Sequence, residues 1–552
     1  MGKKAKKESF IQGIIAIMFS QVIIKILGLV YKLYLTNKEG FGDEGNAIYS
    51  SGFQIYALLL TLSSIGVPNA ISKLVSERLA IGDNKGAHRI FKVAFVTFAL
   101  IGTCGTCILF FGANYIANTF LRIPEAELTL VALSPSIFFV SIASAIRGYF
   151  NGRGQMSTSA KSQTLEQVFK SLLTIIFVEI IATFSSSNTT LMASGANLAT
   201  TCATFLGFAY LHLYYKERRK EVWQDVNSSV NTKNERIKTI IRKTMLVAIP
   251  ISLSSMLSVV NKNIDAFTVV RGLETFLTGA EAKIQYGILG GKVDTLTSLP
   301  LSFNIAFAVA LVPAVATAIA KKDIYTAQKR ISYSLLLTIL IGLPCTVGMF
   351  MFAEPILNLL FPNAAEGATV LKISSLTILF TMLAQTINGA LQGMGKVMIP
   401  IIGLACGAFT KLILNLVLIP IPEIGVNGAV IGSVVCHIIS FMISFVILNK
   451  HIKINFNYVK CIIKPIIATI IMVICSWFVY INLGASIPNT ISIILGINAQ
   501  KIATILSIVT AIVIYGICLI ILKVFTKEEV YMLPCGEKIY KMFYKLGIYK
   551  KA

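Results

Sequence analysis

The sequence predicts an all-α polytopic membrane protein with 14 transmembrane helices. They are expected to form two parallel six-helix lobes, related by a pseudo-two-fold axis along the membrane normal, plus two C-terminal helices. Three observations predict this. The 552 residues are 55% hydrophobic and only 13% charged, where globular chains carry about 25% charged residues, and the mean hydropathy is +0.77. Apolar runs recur from Phe10 to Phe525. Lysine and arginine collect in alternate loops between those runs. The same numbers exclude a soluble enzyme, a disordered chain and a disulfide-stapled module.

A membrane helix needs about 20 mostly apolar residues. Such runs lie near 10–35, 47–70, 91–117, 128–150, 159–184, 191–214, 240–264, 286–313, 331–353, 369–393, 398–420, 425–448, 462–483 and 501–523. The first follows a basic head, Met1 to Lys7. It is too long for a signal-peptide core and has no small-residue cleavage site, so it reads as an uncleaved span. With the N-terminus inside, 37 of the 49 basic residues fall in segments expected on the cytoplasmic side, 8 fall outside and four lie within spans. Cytoplasmic loops gather Lys and Arg. The alternation therefore supports a multi-pass protein of the bacterial plasma membrane with both termini cytoplasmic. It also explains the net charge of +24 without nucleic acid. The ten cysteines are scattered. Cys104 and Cys107 form a CxxC in an apolar stretch without His or acidic neighbours, which reads as buried free thiols.

Two stretches echo each other 241 residues apart. Ile146-Arg147-Gly148-Tyr149-Phe150-Asn151-Gly152-Arg153-Gly154 aligns with Ile387-Asn388-Gly389-Ala390-Leu391-Gln392-Gly393-Met394-Gly395, and the same offset pairs Lys170 with Lys411. A looser echo sets Val67-Pro68 against Val312-Pro313. The repeat is six spans, an even number, so both copies share one orientation; such repeats usually enclose a substrate site. The expected organisation is an N-terminal lobe (1–215), a basic cytoplasmic linker (216–239), a C-terminal lobe (240–449), spans thirteen and fourteen (450–523) and a basic tail (524–552). The glycines permit close helix contact or a turn. With Gly28, they are the candidate turn and hinge positions.

Ionisable groups at bilayer depth cost roughly 2.5–3.5 kcal/mol on insertion scales and normally face a cavity or a partner. Span one carries Lys25 and Lys32, two helical turns apart on one face. Span seven carries Asn261, Lys262, Asn263 and Asp265, with Arg271 in the following loop. Span eight opens with Lys292 and Asp294, and Lys170 and Lys411 interrupt spans five and eleven. Asp265 could pair with Lys262 at helical spacing, and Lys32 and Lys262 could snorkel. Within the spans cations outnumber anions. A cavity of that sign attracts anions, and phosphate or pyrophosphate is the common anion of a lipid carrier.

The stretches Lys25-Ile26-Leu27-Gly28-Leu29-Val30-Tyr31-Lys32 and Ser64-Ile65-Gly66-Val67-Pro68-Asn69-Ala70-Ile71-Ser72-Lys73-Leu74-Val75-Ser76-Glu77 resemble the SpoVB/YtgP group of the MOP exporter superfamily. So do Gln285-Tyr286-Gly287 through Leu299-Pro300 to Leu311-Val312-Pro313, and Asn388-Gly389 to Gly395-Lys396. The group includes MurJ-like lipid II flippases and polysaccharide-unit flippases. The resemblance implies a V-shaped pair of lobes working by alternating access on an undecaprenyl-pyrophosphate-linked precursor, with the protein acting as a monomer. It implies basic residues of span one at the pyrophosphate, a position Lys25 fits, and an extra helix pair along the lipid tail. Here Lys stands where Arg is usual, and span two lacks an early acidic residue. Some relatives bind Na⁺ in the second lobe, and Asp265, Asn415 and Ser433 are the candidate ligands. The candidate headgroup-binding set is Lys25, Lys32, Lys170, Asn261, Asp265, Arg271, Lys292 and Lys411.

Two other readings stay open. A multidrug or cation antiporter of the same superfamily would favour twelve spans and an acidic cavity. A membrane-embedded glycolipid transferase would need carboxylates or histidines in sizeable outer loops, whereas His88, His212 and His451 sit at inner loops or span ends. The chain reads as a carrier, not an enzyme, without a cofactor beyond that possible ion.

Overall fold

The computed structural model describes residues 10–64, 66–185, 188–229, 235–454, 457–486 and 498–525. No strand occurs among them. The helices are α1 (Phe10–Asn37), α2 (Gly42–Ser64), α3 (Gly66–Ala80), α4 (Asn84–Tyr115), α5 (Ala126–Gly152), α6 (Met156–Phe184), α7 (Thr189–Glu217), α8 (Arg219–Asn227) and α9 (Ile237–Leu273). They continue with α10 (Gly279–Gly287), α11 (Asp294–Ala320), α12 (Ile324–Met351), α13 (Ala353–Leu360), α14 (Ala368–Gly393), α15 (Met398–Leu418), α16 (Asn427–His451), α17 (Lys464–Ser486) and α18 (Ala499–Ile521). Ten helical stretches among the described residues are long and apolar enough to cross a membrane. Each expected span falls on one of these helices, the second on α2 with α3 and the eighth on α10 with α11. Most of the basic tail, 526–552, lies outside the described residues.

Several boundaries differ from the hydropathy reading. α2 begins at Gly42 and carries Asp43 and Glu44 in its first turn, so span two does have acidic residues early. They precede the apolar run, so hydropathy alone leaves them out of the span. α9 continues to Leu273, well past residue 264, and a π-helical turn at Ile288–Val293 joins α10 to α11. Lys262 and Lys292 therefore lie well inside helical segments and not at their ends. Cys104 and Cys107 are free but exposed, on a face of α4 that also presents Leu100, Ile108 and Phe111. That is the pattern of a surface meant for lipid. No metal-holding group of His, Cys, Asp or Glu occurs among the described residues.

The linker is partly folded. Val222 of α8 is buried in a core with Ile71, Phe91, Tyr149 and Phe150, and Trp223 lies 5.6 Å from the His88 ring and under Lys92 Nζ at 5.2 Å. Arg153 reaches Asp225 at 2.5 Å, and Glu235 pairs with Arg78 and with Lys243 at 2.6 Å. The Lys243 hydrogen bond, with the Arg78 charge beside it, holds the Glu235 carboxyl below the usual range.

The chain divides into two compact units, Met1–Leu296 with Ala408–Gly432, and Thr297–Gly407 with Ser433–Ala552. In the first, α9 packs on α2 and α3, so closely that a Cβ on Gly66 would lie 2.3 Å from the Ala248 carbonyl oxygen. The second is built around Asn304 of α11. Its amide donates to the Met382 carbonyl at 2.8 Å and its carbonyl accepts from Thr338 at 2.9 Å. In the same unit α17 packs on α18, and Tyr515 donates to the Leu340 carbonyl at 2.9 Å.

The echoed segments repeat their local geometry. Gly154 and Gly395 adopt φ of +78° and +76°, the left-handed conformation that closes a helix most cheaply with glycine. Behind them Gln155 N–H donates to the Phe150 carbonyl and Lys396 N–H to that of Leu391, both at 2.9 Å. A Cβ on Gly148 would meet Pro68 O at 2.9 Å, and one on Gly389 would meet Ala308 O at 2.6 Å. Gly152 faces Ser72 O at 2.9 Å, and Gly393 faces Val312 O at 2.7 Å. The glycines are 241 apart, but the residues they face, Pro68 and Ala308, Ser72 and Val312, are 240 apart, which replaces the Val67-Pro68/Val312-Pro313 pairing suggested by a shared dipeptide. Asp83 and Asp323, also 240 apart, both cap the following helix through the amides of Gly86 and Thr326.

Candidate functional site

The first unit collects ionisable side chains on α1, α2, α6 and α9 and around the α10–α11 junction. Tyr49, Phe53 and Tyr56 recur at helical spacing on α2, with Tyr49 and Phe53 stacked at 6.0 Å between ring centroids. Two lysines lie against this aromatic face. Lys32 Nζ of α1 is 4.6 Å from the Tyr49 centroid, and Lys170 Nζ of α6 is 4.3 Å from Phe53 and 5.4 Å from Tyr31. Tyr31 and Tyr49 share a hydrogen bond of 3.3 Å between hydroxyls. Lys32 is 5% exposed and Lys170 8%. Neither makes an ion pair with a carboxylate among the described residues. Ring faces supply about 0.5–2 kcal/mol to a cation, which solvates the charge without cancelling it.

Lys25 is exposed and also makes no ion pair among the described residues. Gly28 sits inside unbroken α1, where a Cβ would make an ordinary 3.9 Å contact with Gln167.

Three further cations, Lys262, Lys292 and Lys411, are paired with carboxylates. Lys292, wholly buried, bonds Asp43 at 2.8 Å. Lys262 bonds Asp294 at 2.7 Å, not Asp265 as helical spacing allowed. Lys411 of α15 bonds Asp265 at 2.6 Å and the Asn261 carbonyl at 2.9 Å. Asn415 donates to the other Asp265 oxygen at 3.0 Å and to Thr268 at 2.9 Å. Arg271 is exposed in the last turn of α9, away from these pairs. Ser433 belongs to the second unit.

The structure therefore sorts the sequence-derived lysines into two classes: Lys25, Lys32 and Lys170 make no ion pair with a carboxylate among the described residues, while Lys292 and Lys411 are locked to carboxylates. The aromatic face of α2 and the partners Asp43 and Asp294 were missed as site elements. The i, i+4, i+7 spacing of Tyr49, Phe53 and Tyr56 was the signal for the aromatics.

Comparison with known proteins agrees with this architecture. Over 96% of its length the chain is 28% identical to the uncharacterized membrane protein YabM of Bacillus subtilis, covering 96% of that protein. It is 24% identical to Stage V sporulation protein B of B. subtilis over 96% of this chain and 98% of that one. It is 23% identical to the lipid II flippase MurJ of B. subtilis over 84% and 86%. Among solved structures, lipid II flippase MurJ in an inward closed conformation superposes with a TM-score of 0.65 at 17% identity, covering 93% of this chain and 98% of that one. An inward-facing multidrug resistance MATE family transporter of the MOP superfamily gives 0.65 at 15% identity over 81% and 98%. Residues 291–417 match the MatE family model. Residues 10–319, more than half of the chain, match the polysaccharide biosynthesis protein model, and the chain belongs to that family within the MOP superfamily of multi-pass membrane proteins.

Proposed function

We propose that this protein is a flippase that carries an undecaprenyl-pyrophosphate-linked cell-wall precursor, lipid II or a related polysaccharide unit, from the inner to the outer leaflet by alternating access. One observation carries the reading: Lys25, Lys32 and Lys170 are cations at α1 and α6 without carboxylate partners among the described residues. Retaining three positive charges costs several kcal/mol, and a pyrophosphate headgroup would recover that cost by charge-assisted hydrogen bonds. Lys binds phosphate as a point charge, without the two-pronged grip of Arg. The site would then hold the headgroup loosely enough to release it. Unpaired cations also work against a drug-extruding role, which needs negative charge where the cationic cargo sits. Kinship with proteins named as lipid II flippase and Stage V sporulation protein B supports the same cargo class.

In this reading fourteen spans cross the plasma membrane with both termini cytoplasmic, as the placement of basic residues requires. The second-half candidates Asp265 and Lys411 leave the headgroup set, since they neutralise each other. The test is the appearance of labelled lipid II on the outer leaflet of cells depleted of their own flippase, with this protein restored. Lys25→Glu should abolish that appearance while membrane levels of the protein stay normal. Unchanged lipid exposure would remove Lys25 from the headgroup site.

A further inference from the structure

The duplicated lysine has two different fates. Lys170 rests on aromatic faces, whereas Lys411, 241 residues later, ends in a pocket of oxygen atoms: the Asp265 carboxylate at 2.6 Å and the Asn261 carbonyl at 2.9 Å. The Thr268 hydroxyl and the Asn415 amide complete the cluster. Carboxylate, carbonyl and hydroxyl oxygens are what a hard cation takes as ligands. The centre of the set, however, is filled by an ammonium. Asn415 turns its donor face to Asp265, so both carboxylate oxygens already accept hydrogen bonds. Gly432 leaves the room for this arrangement, because a Cβ there would lie 2.6 Å from Asn415 Oδ1 and 3.2 Å from Lys411 Cγ. The Lys411 side chain is 1% exposed and that of Asp265 16%. A free cation placed beside the ammonium would meet a like charge at about 4 Å, which at a protein-like dielectric weakens its binding by about a thousandfold. The candidate Na⁺ ligands Asp265 and Asn415 therefore do not fit a bound Na⁺.

We propose that Lys411 is a tethered counter-ion, a covalently attached cation standing beside Asp265 where a free monovalent cation would otherwise bind, so that the protein works without Na⁺ at this site. The proposal does not depend on the identity of the cargo, and its test needs no substrate. The full-length protein, purified in detergent, is melted in NaCl and in choline chloride at equal ionic strength. The wild type should show the same midpoint in both. Lys411→Ala and Lys411→Asn empty the oxygen pocket and leave the Asp265 carboxyl without its tethered cation. Each should melt about 2 °C or more higher in NaCl than in choline chloride, and the additional change Asp265→Asn should erase the difference. A Na⁺-specific rise in the wild type overturns the proposal. So do folded Lys411 variants that melt equally in the two salts. If neither variant folds, the wild-type comparison decides alone: equal midpoints support the tethered cation, and a Na⁺-specific rise overturns it.

Discussion

Replacing each duplicated lysine by methionine, which keeps most of the volume and removes the charge, should move stability in opposite directions. At Lys170 the charge is buried to 8% exposure with only ring faces at 4.3 and 5.4 Å to solvate it. Those contacts contribute about 0.5–2 kcal/mol each, while burying an unpaired ion costs several kcal/mol. Lys170→Met should therefore leave stability unchanged or raise it by about 1–2 kcal/mol. At Lys411 the same change strands the Asp265 carboxylate without its cation, a loss of about 3–5 kcal/mol. Function should run the other way at Lys170. A lost charge-assisted hydrogen bond to a phosphate costs about 1.5–3 kcal/mol, or about 10–150-fold in headgroup affinity. Thermal melts in detergent, paired with complementation of a flippase-deficient strain, read both effects. If Lys170→Met melts several degrees lower and still complements fully, Lys170 is a packing residue and the headgroup site is wrong.

The repeated packing gives further expectations. Gly148→Ala and Gly389→Ala push a methyl against the carbonyls of Pro68 and Ala308 and should each cost about 1–3 kcal/mol. Gly154→Ala and Gly395→Ala meet no atom within 4 Å and should cost only the left-handed backbone, about 1–2 kcal/mol; melts of the four variants would separate the two causes. Asp323→Ala removes the cap of α12 and should cost about 1 kcal/mol. Asp83→Ala should cost more, since Asp83 also holds Arg78 at 3.0 Å. Lys243 and Arg78 depress the Glu235 carboxyl below its ordinary 4.5, so its stabilisation is complete above that value and fades as pH falls through the folded value. Glu235→Gln should thus lower stability at neutral pH by a few tenths of a kcal/mol to about 1 kcal/mol, and the gap between the two proteins should close as acidification protonates the carboxyl in the folded protein.

The helical rods were legible because a bilayer imposes a length and a composition on every crossing segment, and the glycine echo was legible because glycine has no substitute where helix backbones touch. The charges were harder to read. Sequence spacing measures neighbours along one helix, so it offered Lys262 to Asp265, three residues away, and had no means of offering Asp294 or Lys411. The boundaries failed for a related reason. Hydropathy ends a span where polarity begins, yet α9 runs on to Leu273 and α2 starts at Gly42, since polar residues continue a helix when partners wait on another one. Asp43 shows this: it precedes the apolar run of span two, continues the helix, and pairs with Lys292.

The packing register also explains why the two lysines diverged. At the 240-residue offset of the residues that face the echoed glycines, Asp265 of α9 counts back to Lys25 of α1. In the second copy α9 thus presents a carboxylate to the conserved-register lysine of α15, and the two neutralise each other at 2.6 Å. In the first copy α1 presents another cation, and Lys170 of α6 is left to the rings of Phe53 and Tyr31. The echoed lysines thereby meet different surroundings, a closed ion pair at Lys411 and aromatic faces at Lys170. Exchanging the residues, with Lys25→Asp in one protein and Asp265→Lys in another, should move the charge accordingly. The first should lose lipid transport while keeping its fold, because only the outcome for an anionic cargo changes. The second should lose its fold, because two buried ammoniums would face each other across α9 and α15.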